Sequence, residues 1–353
     1  MSVEVVRPGI KRQLRAYEMA FVRLRSSLDL ADAVVVFEEA LAACLLEEDR
    51  PDFGAMPTPS GPVTMVEVTD CPEVWAWLDQ VAARLSAAGV SGSLGAAASA
   101  RPPAFVPQGR VPTAGIAFTS LELPWQGTWG WPLTKSETST VVDHAASWCE
   151  LGGEQWLGLN LQFWMSGPSA RPLAAPMSAA APRSATDLVA AHGAEARTVR
   201  TTWNEWGVQV VRSALGWQEE VDLCRESLLW EPDLVSWAVV GTSNFAALSS
   251  VIAKCPFAPH TRDQLGAFGL RGTLVNAVQG IQLLTGAHLA RAHDLSDWDV
   301  TQVSADRYLV EAPDLAPWFT GERTDPDVYD TAVHDFGRML LTPETAAEFG
   351  IAD

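Results

Sequence analysis

Val63-Thr-Met-Val-Glu-Val-Thr69 passes directly into Asp70-Cys-Pro-Glu73, and beyond it Val74, Trp77, Leu78, Val81 and Leu85 recur at the spacing of one helical face. The β-branched run predicts a strand, and Asp70 with Glu73 has the spacing of a capping box at a helix start. The same order recurs on both sides. Upstream, Tyr17 to Arg25 reads as a strand. Leu30, Val34, Phe37, Leu41, Cys44 and Leu45 then form a helix face behind Asp29, a candidate N-cap. Downstream, Ala114 to Leu121 reads as a strand, and Thr134 with Glu137 sets a second capping-box spacing ahead of Val141, Val142, Ala145 and Trp148. Three strand-helix rounds predict an α/β sandwich.

Gln155 to Met165 alternates Leu157, Leu159, Leu161, Phe163 and Met165 with Trp156, Gly158, Asn160, Gln162 and Trp164. This predicts one strand with a core face and a second face of two indoles bracketing two amides. Such a face either binds a ring or partner surface or lies under a helix of its own domain.

Asp49 to Pro62, Ser91 to Pro112 and Gly167 to Arg183 are rich in Pro, Gly, Ala or Ser and read as loops or linkers. The third is the most linker-like, because its prolines deny both helix and sheet pairing. With 353 residues the chain exceeds one ordinary core. The expected division is an N-terminal α/β domain at 1–166, a linker at 167–183 and a C-terminal α+β domain at 184–353. Mixed α+β is the fold class.

In the second half, Ser184 and Asp187 are candidate caps of a short helix. Arg197 to Trp203 with Trp206 to Arg212 predicts a hairpin turned at Asn204 and Glu205. Leu234 to Gly241 is a further strand, and Asp299 to Val303 pairs with Arg307 to Glu311 across Ser304, Ala305 and Asp306. Residues 270–293 fit a helix face through Leu274, Val278, Ile281 and His288, but Gly272, Gly280 and Gly286 weaken it. A strand to Leu284 followed by a helix capped by Thr285 fits better.

Charge narrows the partners. Lys and Arg number 24 against 43 Asp and Glu, a formal charge of -19, which repels nucleic-acid phosphates and anionic lipid. No stretch reaches the roughly 20 apolar residues of a membrane span, and Met1 to Arg15 has charge but no apolar signal core, so cytoplasm is the expected compartment. Cys44, Cys71, Cys149, Cys224 and Cys255 are odd in number and widely spaced, which signals neither a disulfide framework nor zinc. Oligomeric state is not written in these features.

Chemical motifs are weak throughout. His288 and His293 are five residues apart and diverge around a helix, and Asp294, Asp297 and Asp299 lack the pattern of a calcium loop, so no metal is expected. No nucleotide cradle or serine elbow is present, and Asp335-Phe336-Gly337 stands without the other kinase motifs. No cofactor is implied. Glu205, between Trp203-Asn204 and Trp206, is similar to the acid/base position of some barrel glycosidases. It supports an alternative reading as an enzyme or sensor for a small polar ligand such as a sugar.

Fifteen tryptophans against three tyrosines point instead to contact. Trp125, Trp129 and Trp131 fall in Leu-Pro-Trp-Gln-Gly-Thr-Trp-Gly-Trp-Pro, a loop that either lids the core or anchors a partner. Trp156, Asn160, Gln162 and Trp164 are a second candidate surface. Trp75, Trp77, Trp148, Trp217, Trp230 and Trp237 are expected in core. The leading expectation is a non-catalytic protein-binding protein of the adaptor, chaperone or immunity type, whose acid surplus favours a basic partner.

Overall fold

The computed structural model describes residues 2–44, 54–58, 60–98, 110–118, 133–149, 155–159, 163–167, 186–192, 197–204, 207–213, 216–244, 270–321 and 323–351. Helices and sheets are both present, and the class is mixed α+β. The chain forms two compact units, each drawn from two stretches of sequence: Met1–Pro103 with Thr138–Ala190, and Ala104–Glu137 with Ala191–Asp353. The expected linker lies, but for Gly167, outside the described residues.

In the first unit the elements run β1 (Val3–Val6), α1 (Arg7–Tyr17), β2 (Ala20–Ser26), α2 (Leu30–Ala43), β3 (Val63–Val66), α3 (Pro72–Ala87) and β4 (Gly92–Ala96). The sheet order is β1-β4-β2-β3, with β1 parallel to β4 and β2 antiparallel to β4 and β3. Period-two alternation divides β2: Ala20, Val22 and Leu24 join the core of α1, α2 and α3, whereas Phe21 packs with Met56, Val63, Met65 and Ala97. The helix faces read from sequence are buried, among them Val34, Phe37, Leu41, Val74, Trp77, Leu78, Val81 and Leu85.

Several local expectations are corrected. Tyr17 ends α1 rather than starting β2, and Glu18 closes that helix in the left-handed region with φ 52°. α1 escaped a periodicity reading because only Ile10 and Leu14 are buried on it, amid Lys11, Arg12 and Arg15. Asp29 does cap α2, accepting from the Asp32 N–H. The N-cap of α3 is Cys71, not Asp70, whose carboxylate instead accepts from Arg15 Nε at 2.6 Å and Trp75 Nε1 at 2.8 Å. Part of the Ser91 to Pro112 loop is strand β4. Small residues are what the packing there demands, since a Cβ on Gly92 (φ +154°) would lie 1.9 Å from the Arg25 carbonyl oxygen.

Gln155 to Met165 is not one strand. β6 (Gln155–Leu159) and β7 (Phe163–Gly167) are an antiparallel pair, with Leu159 opposite Phe163 and Gly158 opposite Trp164. The alternation runs on in sequence from β6 into β7, so periodicity could not separate them. Asp187 belongs to strand β8 (Thr186–His192), which pairs with β6, and not to a helix cap. Here Leu188 and Val189 favour pairing over the capping signal. α4 (Lys135–Cys149) has the expected reciprocal cap, in which Thr134 N–H donates to Glu137 Oε2 at 2.7 Å and Glu137 N–H to Thr134 Oγ1 at 3.3 Å.

In the second unit, β5 (Arg110–Phe118), β9 (Arg197–Asn204), β10 (Gly207–Ser213), β11 (Val235–Asn244), β12 (Ile281–Thr285), β13 (Asp299–Ser304) and β14 (Arg307–Glu311) run in the order β13-β14-β12-β11-β5-β10-β9. All six neighbouring pairs are antiparallel. The two hairpins expected from sequence, β9–β10 and β13–β14, are both formed. α5 (Trp217–Leu228) packs on β5, β10 and β11, burying Val221, Cys224 and Leu228. Buried Trp237 donates from Nε1 to Gln282 Oε1 at 3.1 Å. β12 ends at Thr285, which caps the one-turn helix α6 (Gly286–Leu289), as the glycines implied. α7 (Ala316–Phe319), α8 (Pro326–Phe336) and α9 (Pro343–Glu348) close the chain. Among the described residues no helix is long and apolar enough to cross a membrane.

Candidate binding groove

A concavity within the second unit lies at the end of the β13–β14 hairpin where Asp299 pairs with Glu311. The two chain continuations there, Asp297–Trp298 and Ala312–Asp314, form one wall. Pro317 and Trp318 of α7 and Asp327, Val328, Thr331, Ala332 and Asp335 of α8 form the other. Its volume is about 370 Å³, the size of a site for a large side chain or small ligand.

Local sequence explains each part. Asp325 caps α8 through the Asp327 and Val328 N–H groups and Pro326 follows at the first turn, which places Asp327, Thr331 and Asp335 one turn apart on one face. Asp314 accepts from the Ala316 N–H at 3.0 Å and so starts α7. Gly280 makes room for the indole of Trp318, because a Cβ there would fall 2.7 Å from its Cγ. Trp298 donates from Nε1 to Asp335 Oδ2 at 3.1 Å and meets Phe336 edge-on at 4.9 Å between ring centres. Its ring stands 6.3 Å from that of Trp318, which in turn lies 6.4 Å from Tyr329. Two indoles thus form an apolar floor held in place by packing and one hydrogen bond.

The rim is acidic. Asp297, Asp314 and Asp327 are exposed and form no ion pair with a described residue. Asp335 is committed to Trp298 and has His334 Nδ1 at 3.7 Å from its other oxygen. Just outside, the Ser296 N–H holds the Asp294 carboxyl below the usual carboxylate range. Among the described residues no three His, Cys, Asp or Glu side chains are placed to hold a metal ion. Carboxylates dispersed around an aromatic floor match a diffuse organic cation, since guanidinium and ammonium groups stack on indole faces and pair with carboxylates. Trp318 is 3% exposed, and its Nε1–H makes no hydrogen bond with a described residue.

None of the site residues expected from sequence is among the described residues that line the groove. Trp125, Trp129, Trp131, Asn160, Gln162, Glu205 and Trp206 lie outside the described residues; Trp156 and Trp164 lie on β6 and β7, where the backbone register is described. Trp77 and Trp237 are core as expected, at 3% and 1% exposure, while Trp75, Trp217 and Trp230 are half-buried. His288 is fully buried and His293 exposed, but the helix that carries His288 ends at Leu289, so the two do not share the helix that their spacing assumed. Sequence reading missed the groove because its residues span positions 297 to 335 and come together only through the hairpin and two short helices. No family model, curated protein or solved structure matches the chain.

Proposed function

We propose that this chain is a non-catalytic binding protein for a basic partner protein, of the adaptor, chaperone or immunity type, and that the groove at Trp298 and Trp318 is a contact site. The observation that supports it is the pairing of a two-indole floor with three rim carboxylates that have no ion-pair partner among the described residues. Aromatic anchors supply most binding energy at interface centres, and complementary charge speeds association and fixes register. The chain's charge of -19 acts in the same direction over longer range.

Native mass spectrometry of the protein purified gently from its own host tests this, run beside an Asp297→Asn/Asp327→Asn variant. The expected result is a stoichiometric complex with a basic protein that dissociates as salt is raised and is depleted in the variant. A bare monomer, or one with only a small added mass, contradicts the proposal.

A further inference from the structure

β13 is the outermost strand of its sheet order, and four consecutive residues on it, Asp299, Val300, Thr301 and Gln302, are exposed. Successive residues of a strand point to opposite faces, so exposure at all four means that neither face is covered over that span. Val300 is 43% exposed, an apolar side chain standing in solvent at the sheet edge. Such an edge is a template for another strand unless it is blocked. The usual blocks are few here: Asp299 is the one charge in the span, which holds no proline or lysine, the one register shift against β14 falls later, between Gln302 and Ser304, and the 3-10 turn Pro232–Leu234 is a described segment outside the sheet that packs on β13. Immediately before the span, Asp297 and Trp298 belong to the groove.

We infer that Asp299–Gln302 accepts an extended, basic segment of the partner by strand addition, and that an arginine or lysine near the end of that segment enters the Trp298–Trp318 groove. The inference rests on the proposed function and names the form of the partner. Four residues at about 3.3 Å each give about 13 Å of pairing, and the residues that precede them in the chain, Asp297 and Trp298, line the groove. Main-chain pairing supplies affinity in this mode, and a side-chain pocket supplies specificity. The groove suits a cationic side chain through Asp297, Asp314 and Asp327 around the indoles.

The test uses the full chain and a defined probe, the peptide acetyl-Thr-Arg-Val-Arg-Val-Thr-amide. Two further forms carry N-methyl groups on alternate residues, one set for each edge of the peptide, and a fourth replaces both arginines by glutamate. Hydrogen exchange of 299–304 and indole fluorescence are the readouts. The expected result is slower exchange across 299–302, loss of about tenfold or more in affinity for one N-methylated form and not the other, and no binding of the glutamate form. Asp327→Asn is expected to weaken the parent peptide several-fold with exchange of the core strands unchanged. Equal binding of both N-methylated forms, or no protection of 299–302, overturns strand addition while leaving the groove as a contact site. Absence of binding by the parent peptide at millimolar concentration overturns the inference, and the native complex then judges the proposed function separately.

Discussion

Lowering the pH should loosen the second unit through one residue, His288. Its ring is fully buried, and burial pushes its pKa down to about 4. Nδ1 accepts from the Thr285 N–H at 3.1 Å, while Thr285 Oγ1 accepts from the His288 N–H at 3.2 Å and donates to the Gly272 carbonyl at 2.6 Å. An accepting Nδ1 puts the proton on Nε2, which faces the interior without a well-formed bond to a described residue, although the Leu274 and Arg271 carbonyls favour the charged form and offset part of the shift. In the unfolded chain a histidine titrates near 6.5, so the unfolded state takes up a proton first as pH falls. Stability is therefore full above about pH 6.5, lost between 6.5 and 4, and flat below. The whole difference is about 3 kcal/mol, of which roughly 2 kcal/mol is gone by pH 5. His288→Gln isolates this contribution, because glutamine at the third helical position keeps the capping-box pattern and does not titrate. Urea unfolding of both proteins from pH 7.5 to 4.5, with hydrogen exchange of 281–290 as the local readout, should show the stability gap between wild type and variant moving by about 2 kcal/mol in the variant's favour. Parallel pH profiles would show that His288 does not set this pH dependence.

Two substitutions probe packing. Gly280→Ala places a methyl group 2.7 Å from Trp318 Cγ and 3.0 Å from Cδ1, so the indole must shift. A thermal midpoint lowered by the equivalent of about 1–3 kcal/mol, with weakened arginine-peptide binding, is expected; unchanged binding would show that Trp318 is not part of the contact. Gly92→Ala sets its Cβ 1.9 Å from a backbone oxygen at a φ that other residues avoid, and should cost at least about 2 kcal/mol in urea unfolding of the first unit. An unaltered midpoint would contradict the β2–β4 register.

The helices of the first unit were legible because their apolar faces keep a strict period: all five residues read on α3 from Val74 to Leu85 are buried. Thr285 and the surrounding glycines located the break between β12 and α6 correctly, since glycine cost outweighs an apparent helical face. Legibility failed where two elements share one pattern. β6 and β7 carry one continuous alternation in sequence, and α1 presents only two buried side chains among charges. β4 failed for the opposite reason: a strand squeezed between β1 and β2 uses Gly92, Ser93 and Gly95, which by composition read as loop.

The groove was illegible for a third reason. Trp298 and Trp318 stand out only when Gly280 on a neighbouring strand end, Asp335 on α8 and the β13–β14 continuation are brought together, and no local window holds all of them. What sequence did carry was the chemistry, an excess of indole and carboxylate, without the place where the two meet.

The most direct measurement is carbodiimide cross-linking of the isolated native complex, which joins a carboxylate to an adjacent lysine with no spacer, followed by mass spectrometry of the peptides. Links from Asp297, Asp314 or Asp327 to lysines of the partner are expected, lost when the arginine peptide is added in excess. Links confined to other carboxylates, with these three unmodified by the partner, would contradict it.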